Sequence, residues 1–172
     1  MSPAMRPVMR PVTASQTIGP FWHPLAEPAL ADLTRLGATG PRLELTGRVI
    51  DGSGAPIDDA CVEIWQATPL ASPVFPGWGR CATDAQGAFH FVTLAPDAGA
   101  PYLSVAILAR GLVKPLWTRV YFADTGDPLL AALPPARRAT LLARAELART
   151  EPAGWHWGIR LQGDGETVFL DL

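Results

Sequence analysis

The chain has 172 residues, 48% of them apolar and only 17% charged, with a net charge of −2. This is enough apolar material for one domain with a genuine core. No basic run exceeds Arg137-Arg138, which argues against nucleic acid as the main partner. No apolar segment approaches the ~20 residues of a membrane-spanning helix. Positive charge without an apolar stretch at the N-terminus does not make a secretory signal, so a cytoplasmic location is expected. The two cysteines, Cys61 and Cys81, have no C-x-x-C spacing, which speaks against a disulfide framework or a thiolate zinc site. The low share of charge also suits a subunit that hides surface against a partner.

Eighteen prolines and sixteen glycines punctuate short apolar runs, a pattern of strands joined by turns. Residues 1–20 read as an irregular arm, and residues 21–172 as a single domain. A short helix is expected around Ala29–Leu36, closed by Gly37. LELTGRVI, from Leu43, alternates apolar and polar positions at the strand period. Asp51-Gly52-Ser53-Gly54 is a turn. ACVEIWQA, Ala60–Ala67, alternates again. Residues 68–80 read as a loop rich in Pro and Gly. Asp84-Ala85-Gln86-Gly87 is a second turn, followed by strands at Ala88–Leu94, Tyr102–Leu108 and Leu116–Phe122. An Arg-Gly turn at 110–111 separates the last two. Pro134-Pro135 can open a helix, and ARRATLLARAELA then predicts one amphipathic helix, the longest in the chain. Strands return at Trp155–Leu161 and Thr167–Leu172 around a Gln162–Gly165 turn. About six to eight short strands with one or two short helices predict a mainly β chain folded as a β-sandwich.

The chain's own chemistry is sparse. His23, His90 and His156 are isolated, with no H-x-H or H-E-x-x-H. The flanking residues Phe89 and Phe91, and Trp155 and Trp157, place His90 and His156 on the face opposite the aromatics. Asp58-Asp59 and Asp84 fall at turns, where aspartate is common. There is no Gly-rich phosphate loop after a strand and no G-x-S-x-G elbow. From the residues alone, this is a β-rich domain without a complete active site.

Several segments in order resemble the intradiol ring-cleaving dioxygenase family. SQTIGPFW resembles its S-Q-T-x-G-P-[FY] arm. GRVIDGSGAPIDDACVEIWQA resembles its strand-turn-strand block, and Gly79–Gly87 its G-R-x-x-T-x-x-x-G segment. Ala109-Arg110-Gly111 and Thr118–Phe122 resemble A-R-G and T-R-[LV]-Y-F. GIRLQGDGETVFLDL is similar to the ending of the family's α-type subunits. Together these span about Ser15 to Leu172. The central block also recurs in prealbumin-like modules that only bind or brace, which leaves that role as the alternative. Those modules lack the arm and the E-[LIV]-W-Q-A continuation.

The resemblance implies a prealbumin-like sandwich core and an oxygen-dependent opening of a catechol carboxylate. In the family's catalytic subunit, ferric iron is held by two tyrosines and two histidines, the latter in an H-x-H before the A-R-G turn. Here Tyr102 and Ser104 occupy those histidine positions, and the tyrosine-bearing loop is cut to Ala95–Ala100. The family's α-type subunit binds no metal and works beside a β-type subunit that holds the Fe(III). That role suits this chain. The substrate-binding residues then transferred from the resemblance are Thr17, Gly19, Pro20 and Arg110.

Overall fold

The computed structural model describes residues 13–146 and 153–171. Eight strands appear among them: β1 (Arg42–Ile50), β2 (Cys61–Trp65), β3 (Trp78–Ala82), β4 (Ala88–Leu94), β5 (Tyr102–Leu108), β6 (Leu116–Tyr121), β7 (Arg144–Ala145) and β8 (Ala153–Arg160). They form two four-stranded sheets, ordered β4-β1-β8-β7 and β3-β2-β5-β6. Pairing is antiparallel except between β1 and β8, which run parallel with Leu45 opposite Trp155. The expected β-sandwich is therefore the fold. No helix among the described residues is long and apolar enough to cross a membrane.

The strand period decides what is buried. On β1, Leu43, Leu45 and Val49 point inward, and Phe89 and Phe91 of β4 and Trp157 and Ile159 of β8 share that face. Val62 and Ile64 of β2, Leu103, Val105 and Ile107 of β5, and Val120 of β6 meet them from the other sheet. Each such side chain contributes about 1.5–3 kcal/mol by leaving water. Gly47 lies among these inward positions, where the Trp157 carbonyl and the Phe89 ring crowd its α-carbon. Its missing side chain lets the strands close at that point.

Four sequence expectations need correcting. The helix expected at Ala29–Leu36 is a 3-10 turn at Pro28–Ala31. Asp32 then bridges to Val92, and the Leu33 N–H donates to the Val92 carbonyl at 2.8 Å. Pairing to the sheet edge outcompetes a second helical turn, and Gly37 closes the segment at φ 94°. The loop expected at 68–80 ends in β3, whose strand period is masked by Gly79. A Cβ at Gly79 would meet the Leu30 carbonyl and the Leu33 side chain, because the 28–33 segment lies on this strand.

The predicted long helix over 136–148 is cut short, and a separate short helix precedes it. Helix α1 (Pro128–Ala132) is capped by Asp127, whose carboxylate accepts the Leu129 N–H at 2.8 Å. Leu133 is extended, as a residue before proline tends to be. Helix α2 (Pro135–Arg138) then runs into a 3-10 turn, Ala139–Leu141. Leu142 leaves the helix because the Ala143 N–H donates to the Tyr121 carbonyl at 2.8 Å, and β7 pairs with β8. Residues 147–148 of the expected helix lie outside the described residues. The strand expected at Thr167–Leu172 reduces to one bridge, Leu170 to Trp117. Val168 and Leu141 pack with Tyr121 and Leu130 in a second small apolar cluster. Leu172 also lies outside the described residues.

Candidate functional site

The N-terminal arm is tied to its own domain by side chains the sequence places a few residues apart. The Thr17 hydroxyl donates to the Ala109 carbonyl at 3.1 Å and accepts the Gly111 N–H at 2.8 Å. It thus brackets Arg110 from both sides. The turn exists because Gly111 takes φ 92°, a conformation costly for residues with a side chain. Further along, Trp22 Nε1 donates to the Asp59 carbonyl at 3.1 Å, and His23 Nε2 lies 2.8 Å from the Thr83 carbonyl. Proline at the first position opens the 3-10 turn Pro20–Leu25 that aims these two rings at the domain. Phe21 and Leu25 point away and are exposed.

The structure therefore brings Thr17 against the Arg110 turn, with Gly19 and Pro20 just beyond Thr17 on the same arm. Gly19 has φ −62°, which any residue adopts, and a Cβ built there meets nothing within 4 Å. Nothing in its own described surroundings calls for glycine. Arg110 Nε lies 3.1 Å from Asp59 Oδ2, and the arginine side chain is 65% exposed. Both residues line an open cleft of ≈420 Å³, together with His23, Pro24, Asp58 and Ala85. Asp59, Trp22 and His23 were not singled out from the sequence as parts of a site. Their contacts join distant segments, and no local pattern reports them.

Replacing Thr17 by valine keeps the shape but removes both hydrogen bonds to the turn. One such bond is worth about 0.5–1.5 kcal/mol. We expect limited proteolysis to cut the Thr17→Val arm several-fold faster, with little change in the Tm of the domain.

A second cluster sits on the outer face of β5. Tyr102 stands opposite Tyr121, and Ser104 lies between Trp65 and Arg119 across the sheet. The Arg119 guanidinium lies 4.1 Å over the Tyr102 ring. It also donates to the Tyr121 hydroxyl at 3.3 Å and sits 3.8 Å from the Asp127 carboxylate. Burial pushes the Tyr121 phenol up from its ordinary value, partly offset by the arginine, so it remains a neutral phenol. Ferric iron favours anionic phenolate and imidazole donors. A stacked Tyr102, the small hydroxyl of Ser104 and a guanidinium beside them do not make that set. The sequence gives no hint of Arg119 in this place, because its partners meet only through sheet register.

The remaining candidate groups stay apart. His90 and His156 flank Thr46 on the exposed face of the other sheet, with His90 3.5 Å from Glu44 and His156 3.2 Å from the Thr46 hydroxyl. Cys61 and Cys81 are free thiols. Burial pushes the Cys61 thiol up to about 12, which keeps it protonated. Among the described residues, no three His, Cys, Asp or Glu side chains gather as a metal-binding group.

The family described as "Dioxygenase" matches residues 19–106. The protocatechuate 3,4-dioxygenase alpha chain of Burkholderia cepacia is 31% identical, covering 93% of this chain and 97% of that one. The protocatechuate 3,4-dioxygenase beta chain of the same organism is 32% identical, covering 95% of this chain and 81% of that one. Among solved structures, the dioxygenase domain of a carbohydrate-binding fusion from Streptomyces sp. SirexAA-E shares the fold. Its TM-score is 0.63 at 23% identity, covering 88% of this chain and 96% of that one. Sequence blocks, sandwich topology and near full-length relatives agree, and the chain belongs to the intradiol ring-cleaving dioxygenase family.

Proposed function

We propose that this chain is the alpha-type subunit of a protocatechuate 3,4-dioxygenase, active only beside an iron-bearing beta-type subunit. The observation that carries the reading is the outer face of β5. There Tyr102 and Ser104 stand where the family resemblance implies the histidine pair, and Arg119 stacks on Tyr102 beside Ser104. Identity alone does not separate the two subunit types, since the alpha and beta relatives match almost equally. The span of the match favours alpha, at 97% of the alpha chain against 81% of the beta chain. Near full-length relatives among ring-cleaving enzymes set aside the bracing-module alternative.

With the partner, the reaction is cleavage of protocatechuate by O₂ to 3-carboxy-cis,cis-muconate, both oxygen atoms entering the product. The family uses iron for this chemistry, and the Fe(III) is assigned to the partner, where it would supply activation of the catechol towards oxygen. This chain contributes binding and orientation. Arg110 offers a cation to an aromatic carboxylate, with which a guanidinium forms strong charge-assisted bonds. The Gly19-Pro20 backbone is rigid and carries no Cβ at Gly19, so an aromatic ring can approach it closely. The open space around Gly19 supports a neighbour from outside the chain.

The test is metal and oxygen accounting on the purified chain, alone and with its partner. The chain alone is expected to be colourless, without stoichiometric iron and without oxygen uptake on protocatechuate. Co-expressed with the beta-type subunit, it is expected to co-purify and support ring cleavage. A full complement of iron and turnover in the lone chain would sink the proposal.

A further inference from the structure

We propose that Asp59 is a positioning residue, which holds Arg110 by its Nε side and so presents the opposite edge of the guanidinium to an anionic substrate. The inference rests on the alpha-subunit reading and deepens it by adding a residue to that site. Asp59 Oδ2 lies 3.1 Å from Arg110 Nε as an ion pair, and no other group pairs with the guanidinium among the described residues. The carboxylate is mostly buried, at 18% exposure, while the arginine side chain is 65% exposed. A largely fixed anion thus gives direction to a long side chain that would otherwise sample many rotamers. An arginine gripped at Nε keeps its two terminal nitrogens for a planar, bidentate partner such as a carboxylate.

Asp59 is itself fixed from the arm. Its carbonyl accepts the Trp22 Nε1–H at 3.1 Å, three residues beyond Gly19. The Thr17 hydroxyl holds the backbone on both sides of Arg110. Arm, carboxylate and turn therefore form one closed arrangement. Thr17 sets the arginine backbone, Asp59 sets its side chain, and Trp22 sets Asp59. Asp58 is exposed beside it in the same cleft but makes no ion pair with Arg110 among the described residues. The opposing effect is electrostatic, because removing a carboxylate raises the local positive charge and favours any anion. Salt screens that gain at an exposed site, and a side chain left free must then be ordered by the substrate itself.

The test uses the chain assembled with its beta-type subunit, with steady-state kinetics on protocatechuate and on catechol, which lacks the carboxylate. Asp59→Asn is expected to raise KM for protocatechuate about three- to tenfold with kcat changed less than about twofold. KM for catechol is expected to stay the same. In an Arg110→Ala background the same substitution is expected to add nothing further. Asp59→Glu is expected to restore part of the loss. An unchanged or lowered KM for protocatechuate overturns the proposal. So does an equal rise for both substrates, or a full effect that persists without Arg110, because each marks a merely structural role. Because Trp22 grips the Asp59 backbone, the asparagine variant keeps that contact, and its Tm and co-purification are read alongside. A wild-type assembly that cleaves neither substrate overturns the subunit reading itself, whereas an active wild type with a silent Asp59→Asn overturns only this inference.

Discussion

Arg110→Ala is expected to lower kcat/KM for protocatechuate by about ten- to a hundredfold in the assembled enzyme, while its iron content stays at the wild-type level. The magnitude follows from the bond type. Hydrogen bonds to a charged group are worth about 1.5–3 kcal/mol, and each 1.36 kcal/mol is tenfold in rate. The stability cost is expected to be small. Arg110 is largely exposed at a turn held through its backbone neighbours by Thr17, and its ion pair to Asp59 is partly solvated. Iron analysis, thermal melting and kinetics on one preparation separate the three quantities. Loss of iron in this variant would place the arginine at the metal rather than at the substrate.

The largest stability effect is expected at Gly47. An alanine Cβ there would run into the Trp157 carbonyl and the Phe89 ring, and both belong to the strands that flank β1. A backbone carbonyl in a sheet ladder cannot swing aside as the end of a flexible side chain can. The sheet must part or the core must open, at a cost of about 3 kcal/mol or more. For a domain of this size that corresponds to a fall in Tm of about 6–12 °C. Gly158 of β8 provides the control, since an added Cβ there meets nothing within 4 Å. Gly158→Ala is expected to leave the melting temperature nearly unchanged. Equal behaviour of the two variants would refute the packing argument.

Where a segment's periodicity and its pairing agree, the sequence reports the element well. The strands at Ala88–Leu94 and Tyr102–Leu108 are found at their expected bounds, and Leu116–Tyr121 ends one residue short of expectation. Their inward positions are mostly Val, Ile, Leu and Phe, with Thr93 and Thr118 among them, and turns with Gly or Asp delimit them. β3 escaped because close approach of another segment demands Gly79, which erases the apolar alternation. The region after Pro134 misled for the opposite reason. Its spacing of leucines suits a helix, yet Ala143 and Arg144 find better partners in Tyr121 and β8. Local preference is a weak prior against a full set of sheet hydrogen bonds.

The same division holds at the candidate site. Thr17, Gly19, Pro20 and Arg110 sit in short motifs, so a reader of the sequence can single each one out. That Thr17 grips both flanks of Arg110 is visible only once the arm is folded back on the domain. Asp59 reads as one of two aspartates in a turn, and nothing local distinguishes it from Asp58. Arg119 reads as part of a strand motif, and its stacking on Tyr102 depends on the register between β5 and β6.

The parallel pairing of β1 with β8 also bears on synthesis. Thr46 meets His156 across 110 positions of chain, so the middle of that sheet stays open on the ribosome until β8 has emerged. The nascent chain meanwhile exposes the edge of β1, a surface prone to wrong partners. Messages cut short before Trp155 would yield aggregating fragments in place of a smaller working domain.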